Sequence, residues 1–76
     1  MKAVITVLGK DRTGIIASVS NLLYQHGVNI LDITQTILKG NFTMVMSVDA
    51  GKANVEFDQL ATALEKLGEQ MSLSIR

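Results

Sequence analysis

The hydrophobic pattern of this chain switches repeatedly between a period of two and a helical period, and that succession leaves few folds open. Residues 2–8 (KAVITVL) are short and β-branched, with Ala3, Ile5 and Val7 on one face and Val4, Thr6 and Leu8 on the other, as in a strand. From Gly14 to His26 the residues Ile15, Ile16, Val19, Leu22 and Leu23 fall at helical spacing, and Gly27 follows as a left-handed stop. Val28 to Leu38 reads as a long strand, with Ile30 and Leu38 on one face and Leu31, Ile33 and Ile37 on the other. Lys39-Gly40-Asn41 is a tight turn, Gly40-Asn41 suiting a type II′ hairpin. Phe42 to Asp49 is the return strand, with Phe42, Met44, Met46 and Val48 alternating against Thr43, Val45 and Ser47. After a loop at 50–53, Asn54 is placed to cap a second helix whose apolar stripe is Phe57, Leu60, Ala61, Leu64 and Leu67. Glu56 and Asp58 lie in its first turn, where the dipole favours them, and Gly68 ends it. Met71, Leu73 and Ile75 alternate with Ser72 and Ser74 as a last strand.

The order β-α-β-β-α-β has two crossovers, each right-handed by the usual rule. Both helices then cover one face of a four-stranded antiparallel sheet, an α+β ferredoxin-like arrangement with spatial order 4-1-3-2. The second strand becomes a long edge, and pairing with a twin molecule is one way to satisfy such an edge. The uncovered sheet face is expected to show Thr6, Thr34, Thr36, Thr43, Ser47, Ser72 and Ser74.

With 76 residues the chain is expected to be one domain, residues 1–76. So small a domain buries only ~60% of the surface of its unfolded chain and is marginal alone. There is no cysteine to staple it or to hold zinc as thiolate, which makes a homodimer the expected source of further stability. Seven cationic side chains balance seven anionic ones, against the basic excess of a nucleic-acid binder or of a membrane-surface protein. No apolar run spans a bilayer and no leader pattern precedes the first strand, so a cytoplasmic protein is expected.

The residues of catalysis are sparse. His26 is the one histidine, at the end of a helix where a cation meets the carbonyl end of the dipole. Gly9 and Gly14 bracket four residues like a Walker loop, but Ile15-Ile16 stands where Lys-Ser/Thr belongs. Acylphosphatases share the topology and use a first-loop arginine, yet the longer glycine-rich loop that accompanies it is missing around Arg12. RNA-recognition motifs need aromatics on the middle strands, and the first strand has none. No enzyme activity, metal or cofactor is expected.

What remains is the polar cluster GKDRTGII, residues 9–16, where strand hands over to helix. The first NH groups of a helix lack internal partners and carry partial positive charge. A carboxylate fits there, held by backbone donors near Thr13, Gly14 and Ile15, and Gly14 lets it approach closely. Asp11 offers a partner for an ammonium, and Asn29 both a donor and an acceptor. The cluster suits a zwitterion such as a free amino acid. It equally suits a plain helix cap, with Asp11 or Thr13 as the cap and the cations solvated.

The segment VLGKDRTGIIASVSNLLYQHGVNILDITQTI resembles an ACT domain. In that family a strand ends in a D-x-x-G-type loop, a helix follows, and a G-x-N-I segment opens the second strand; Asp11, Gly14, Gly27, Asn29 and Ile30 match. The GKDRTG wording most resembles free-standing bacterial and archaeal ACT proteins related to glycine-cleavage regulators. The resemblance implies a non-catalytic regulatory module that binds an amino acid between paired domains, here near Asp11, Arg12, Thr13, Gly14, Ile15, Asn29 and Ile30. Two other expectations compete with it: a ligand-free module that binds a partner protein through its edge strand or open sheet face, and, more distantly, a small acyl-phosphate hydrolase.

Overall fold

The computed structural model describes residues Met1–Arg76. Six elements follow in the expected order: β1 (Lys2–Lys10), α1 (Ile15–Gln25), β2 (Asn29–Leu38), β3 (Asn41–Asp49), α2 (Phe57–Met71) and β4 (Leu73–Ile75). The sheet order is β2-β3-β1-β4 and every pairing is antiparallel, the ferredoxin-like fold that the pattern implies. The core lies between the helices and one sheet face. Ile5, Val7, Phe42, Met44, Met46 and Val48 supply the sheet side, and Val19, Leu23, Leu60 and Leu64 the helix side. No polar side chain is buried, so this core demands no internal hydrogen bond for specificity.

Several local readings are corrected. The hairpin places Leu38 opposite Asn41 and leaves Lys39 and Gly40 as its central residues, with φ of 52° and 79°. Two successive positive φ values make a type I′ turn, whose twist suits the flanking strands, instead of a II′ turn at Gly40-Asn41. In β2 the alternation breaks. Ile30 stands opposite Val48 and Asp32 opposite Ser47, so Leu31 is an extra, bulged residue. A bulge moves every later side chain to the other face. Ile30, Ile33 and Ile37 therefore all point to the helix side, and Leu38 joins Asp32, Thr34 and Thr36 on the open side.

Asn54 does not cap α2. Its side-chain amide donates to the carbonyl of Gln25 at 3.0 Å and its backbone N–H to that of His26 at 3.0 Å, so it closes the end of α1. The cap of α2 is Glu56, whose N–H donates to Gln59 Oε1 at 3.0 Å. Nor does Gly68 end α2. The helix runs on to Met71 and is closed by Ser72 at φ 58°, which shortens β4 and removes Ser72 from the sheet. Gly68 is buried within the helix because a Cβ there would stand 2.7 Å from the carbonyl oxygen of Leu73. The open sheet face carries the expected threonines with Ser47 and Ser74, without Ser72, but also exposed Val4, Leu8, Leu38 and Val45.

Candidate functional site

The loop between β1 and α1 is held at both sides. The N–H of Asp11 donates to the carbonyl of Gly40 at 2.8 Å, tying the start of the loop to the β2–β3 turn. Arg12 turns the other way, and its Nη1 donates to the carbonyl of Met71 at 3.4 Å. That arginine bridges the loop to the carbonyl end of α2, where a cation also complements the dipole. Thr13 is exposed in the turn, and Gly14 is the N-cap of α1 at φ 88°, a left-handed conformation that suits glycine.

No side chain caps α1. Neither Asp11 nor Thr13 takes that role, which removes the plain-cap reading of the cluster. The first internal bond of the helix runs from the N–H of Ser18 to the carbonyl of Gly14 at 2.9 Å. The N–H groups of Ile15, Ile16 and Ala17 precede it and have no intrahelical acceptor. They open on a recess of about 290 Å³ whose lining includes Asp11, Arg12, Gly14, Ile15, Gln35 and Ile37. Gln35 and Ile37 were not among the residues that the sequence singles out. Gln35 interrupts the helix-side series Ile33–Gln35–Ile37, a signal already present in the alternation against Thr34 and Thr36.

Asn29 and Ile30 do not join this recess. The register aligns Lys10, Asn41 and Leu38 at one end of the sheet, and Lys2, Asp49 and Asn29 at the other. Asn29 thus lies roughly 26 Å from the loop end, at about 3.3 Å per strand residue. It lines a separate polar recess with Met1, Gly27, Asp49, Gly51 and Lys52. There Asp49 Oδ1 accepts from the N–H of Gly51 at 2.9 Å and from the N-terminal amine at 3.4 Å. The Gly51 bond first, and the amine second, hold the Asp49 carboxyl below its ordinary value. Ile30 packs against the core.

His26 closes α1, its Nδ1 bonded to the Leu22 carbonyl at 2.8 Å. No three acidic, histidine or cysteine side chains gather as a metal site, and no helix is long and apolar enough to cross a membrane.

The chain is a small ferredoxin-like α+β module with an open strand edge and, beside it, a helix N-terminus that no side chain caps. Residues 2–76 match the ACT domain family, and the chain belongs to it. It is similar to a UPF0237 protein of Clostridium acetobutylicum, 49% identical over 76 residues, which are all of this chain and 85% of that protein. Among solved structures it is similar to an ACT domain protein from Streptococcus pneumoniae, with a TM-score of 0.87 and 41% identity over 100% of this chain and 85% of that one. A putative glycine cleavage system transcriptional repressor aligns with a TM-score of 0.87 and 33% identity, over 99% of this chain and 43% of the repressor. ACT domains are typically regulatory domains that bind small molecules.

Proposed function

We propose that the chain is an amino-acid sensor that works as a two-fold dimer, with each ligand site shared between two subunits. One observation carries this reading: the two halves of the family motif lie at opposite ends of β2, an unpaired edge. Antiparallel pairing of β2 with its copy brings opposite ends together. A two-fold axis near Gln35 sets Asn29 of the partner subunit beside the Gly40 turn, and hence beside Asp11. The ligand carboxylate then rests on the free N–H groups of α1, its ammonium faces Asp11, and Asn29 of the partner subunit closes the site. Arg12, bound to Met71, positions the loop. No group in this arrangement is placed to break a bond, and the output is a change in assembly or in a protein contact.

A thermal-shift screen of free amino acids tests the ligand. At a hundredfold excess over Kd the bound amino acid raises stability by roughly 2.7 kcal/mol. Mixing then tests the shared site. Asp11→Asn and Asn29→Ala each impair every site of a homodimer, but a mixed dimer holds one intact site and one doubly impaired site. Random re-pairing therefore restores about a quarter of the sites. No restoration on verified mixing refutes the shared site, and a screen in which no amino acid shifts the melting temperature favours the ligand-free assembly module.

A further inference from the structure

The open face of the sheet keeps its charges at the margins. The register sets its side chains in rows across the strands. Thr34, Val45 and Thr6 form one row, and Thr36, Thr43 and Leu8 the next. Both rows are uncharged on these three strands, and Arg76 stands only at the β4 margin, beside Thr6. Asp32 lies in the row beyond the first and Lys10 in the row beyond the second, with Lys2 and Asp49 farther out. Val45 and Leu8 leave 43% and 49% of their surface exposed, because the core and both helices occupy the opposite face.

Area decides what this face can hold. Rows on one face lie ~6.6 Å apart and strands ~4.8 Å apart, so four rows on β1, β2 and β3 cover roughly 380 Å². Two single chains face to face would bury about 760 Å² in total, the size of a crystal contact. Pairing of two β2 edges joins two such faces into one. Two of those doubled faces would bury about 1,500 Å², the size of a stable interface.

We infer that the open faces of two strand-paired dimers stack on each other, giving a tetramer of this chain with two sheets inside and the helices outside. The inference rests on the β2-edge dimer proposed above, since only the doubled face is large enough. Closed two-fold symmetry then fixes the match. Each strand lies over its own copy, with the rows reversed about the level of Gln35, Met44 and Val7, which stand opposite one another. The row of Thr6 and Val45 rests on the row of Leu8 and Thr43 of the facing copy. The Asp32 row rests on the Lys10 row, so each margin brings opposite charges together, and Lys2 and Asp49 fall outside the overlap. Strands so stacked run within ~30° of one another, as in other aligned sheet pairs.

Sedimentation equilibrium of the 76-residue chain, from micromolar to millimolar concentration, tests this. The unmodified chain is expected to pass from dimer to tetramer as concentration rises. Val45→Lys alters an exposed side chain away from the β2 edge and sets four lysines into the stacked layer. It is expected to keep the dimer and to need at least about a hundredfold higher concentration for the tetramer. Leu8→Lys, in the facing row, is expected to do the same. Ile37→Asp is expected to lose dimer and tetramer together. A chain that stays a dimer up to millimolar concentration overturns the stacking and leaves the edge dimer standing. A tetramer that tolerates both lysines overturns it too. An assembly that survives Ile37→Asp but not Val45→Lys overturns both readings, since single chains would then stack without the edge.

Discussion

Gly68→Ala sets two physical arguments against each other. Within α2, alanine is the better helix former by about 0.8–1.0 kcal/mol, so helix propensity alone predicts a more stable protein. The packing predicts the reverse. An added Cβ would lie 2.7 Å from the carbonyl oxygen of Leu73 and 3.4 Å from Ile75 Cγ1. The first neighbour is backbone, in the strand that pairs with β1, and cannot swing away as a side-chain tip could. Overpacking of this kind costs about 1–3 kcal/mol. The difference leaves a net loss of about 1 kcal/mol, which in a domain of this size lowers Tm by roughly 4–8 °C. Thermal and urea unfolding at one fixed protein concentration read it, since assembly also shifts Tm. An unchanged or higher Tm for Gly68→Ala would falsify the claim that α2 and β4 meet here without room for a methyl group.

Four further outcomes are expected. Sedimentation of the unmodified chain at micromolar concentration should show a dimer, and Ile37→Asp should weaken it at least about a hundredfold, since the dimer buries two such isoleucines, one per subunit, each contributing roughly 1.5–3 kcal/mol; a dimer that tolerates this change does not use the β2 edge. Asp11→Asn should weaken binding of the amino acid found by the screen roughly ten-fold, because a charge-assisted hydrogen bond becomes a neutral one, while ligand-free stability stays the same; equal dissociation constants exclude Asp11 from the site. Gly14→Ala should lower stability by about 1–2 kcal/mol through its left-handed backbone, since the added methyl meets nothing within 4 Å; a neutral result in urea unfolding would contradict the φ of 88°. Asp49 has a carboxyl held low by Gly51 and the N-terminal amine, so its contribution is present above the ordinary carboxylate pKa and is lost as pH falls through the lowered one; Asp49→Asn should flatten that acid limb slightly, and an identical limb in both proteins removes the link.

The sequence carries the sheet order because alternation, helix spacing and the positions of Gly27 and Gly40 all agree. Two of its errors share one cause, a local rule overridden by a contact from elsewhere in the chain, and a third is local. Asn54 is a good capping residue, and it caps, but at Gln25 and His26 of the other helix. Gly68 reads as a stop, yet it is there for the close approach of Leu73. Met71 has the alternation of a strand with Leu73 and Ile75, and it ends a helix because Ser72 adopts a left-handed conformation. The loop cluster stands out in the sequence as a candidate site because glycine, acid and hydroxyl coincide at a strand-to-helix junction. Gln35 and Ile37 do not, since only the folded chain brings their end of β2 beside the first loop.

The bulge in β2 bears on how the proposed dimer is built. An edge strand pairs with a copy only where it is regular, and a bulge blunts the rest. In β2 the bulge falls at Leu31, which leaves Asp32–Leu38 as the usable edge. The midpoint of that stretch is Gln35, so a two-fold axis through it sets Ile33 of one subunit beside Ile37 of the partner subunit, and the reverse. Both isoleucines are exposed in the single chain, Ile33 at 38% and Ile37 at 55%, although they lie on the helix side of the sheet where β3 is wholly buried. The shared axis would cover them as cross-strand pairs. It would also bring the two Gln35 side chains, each lining its own loop recess, to the centre of the interface. Ligand in either recess would then touch the strand on which the pairing rests, which is how occupancy could be read as a change in assembly.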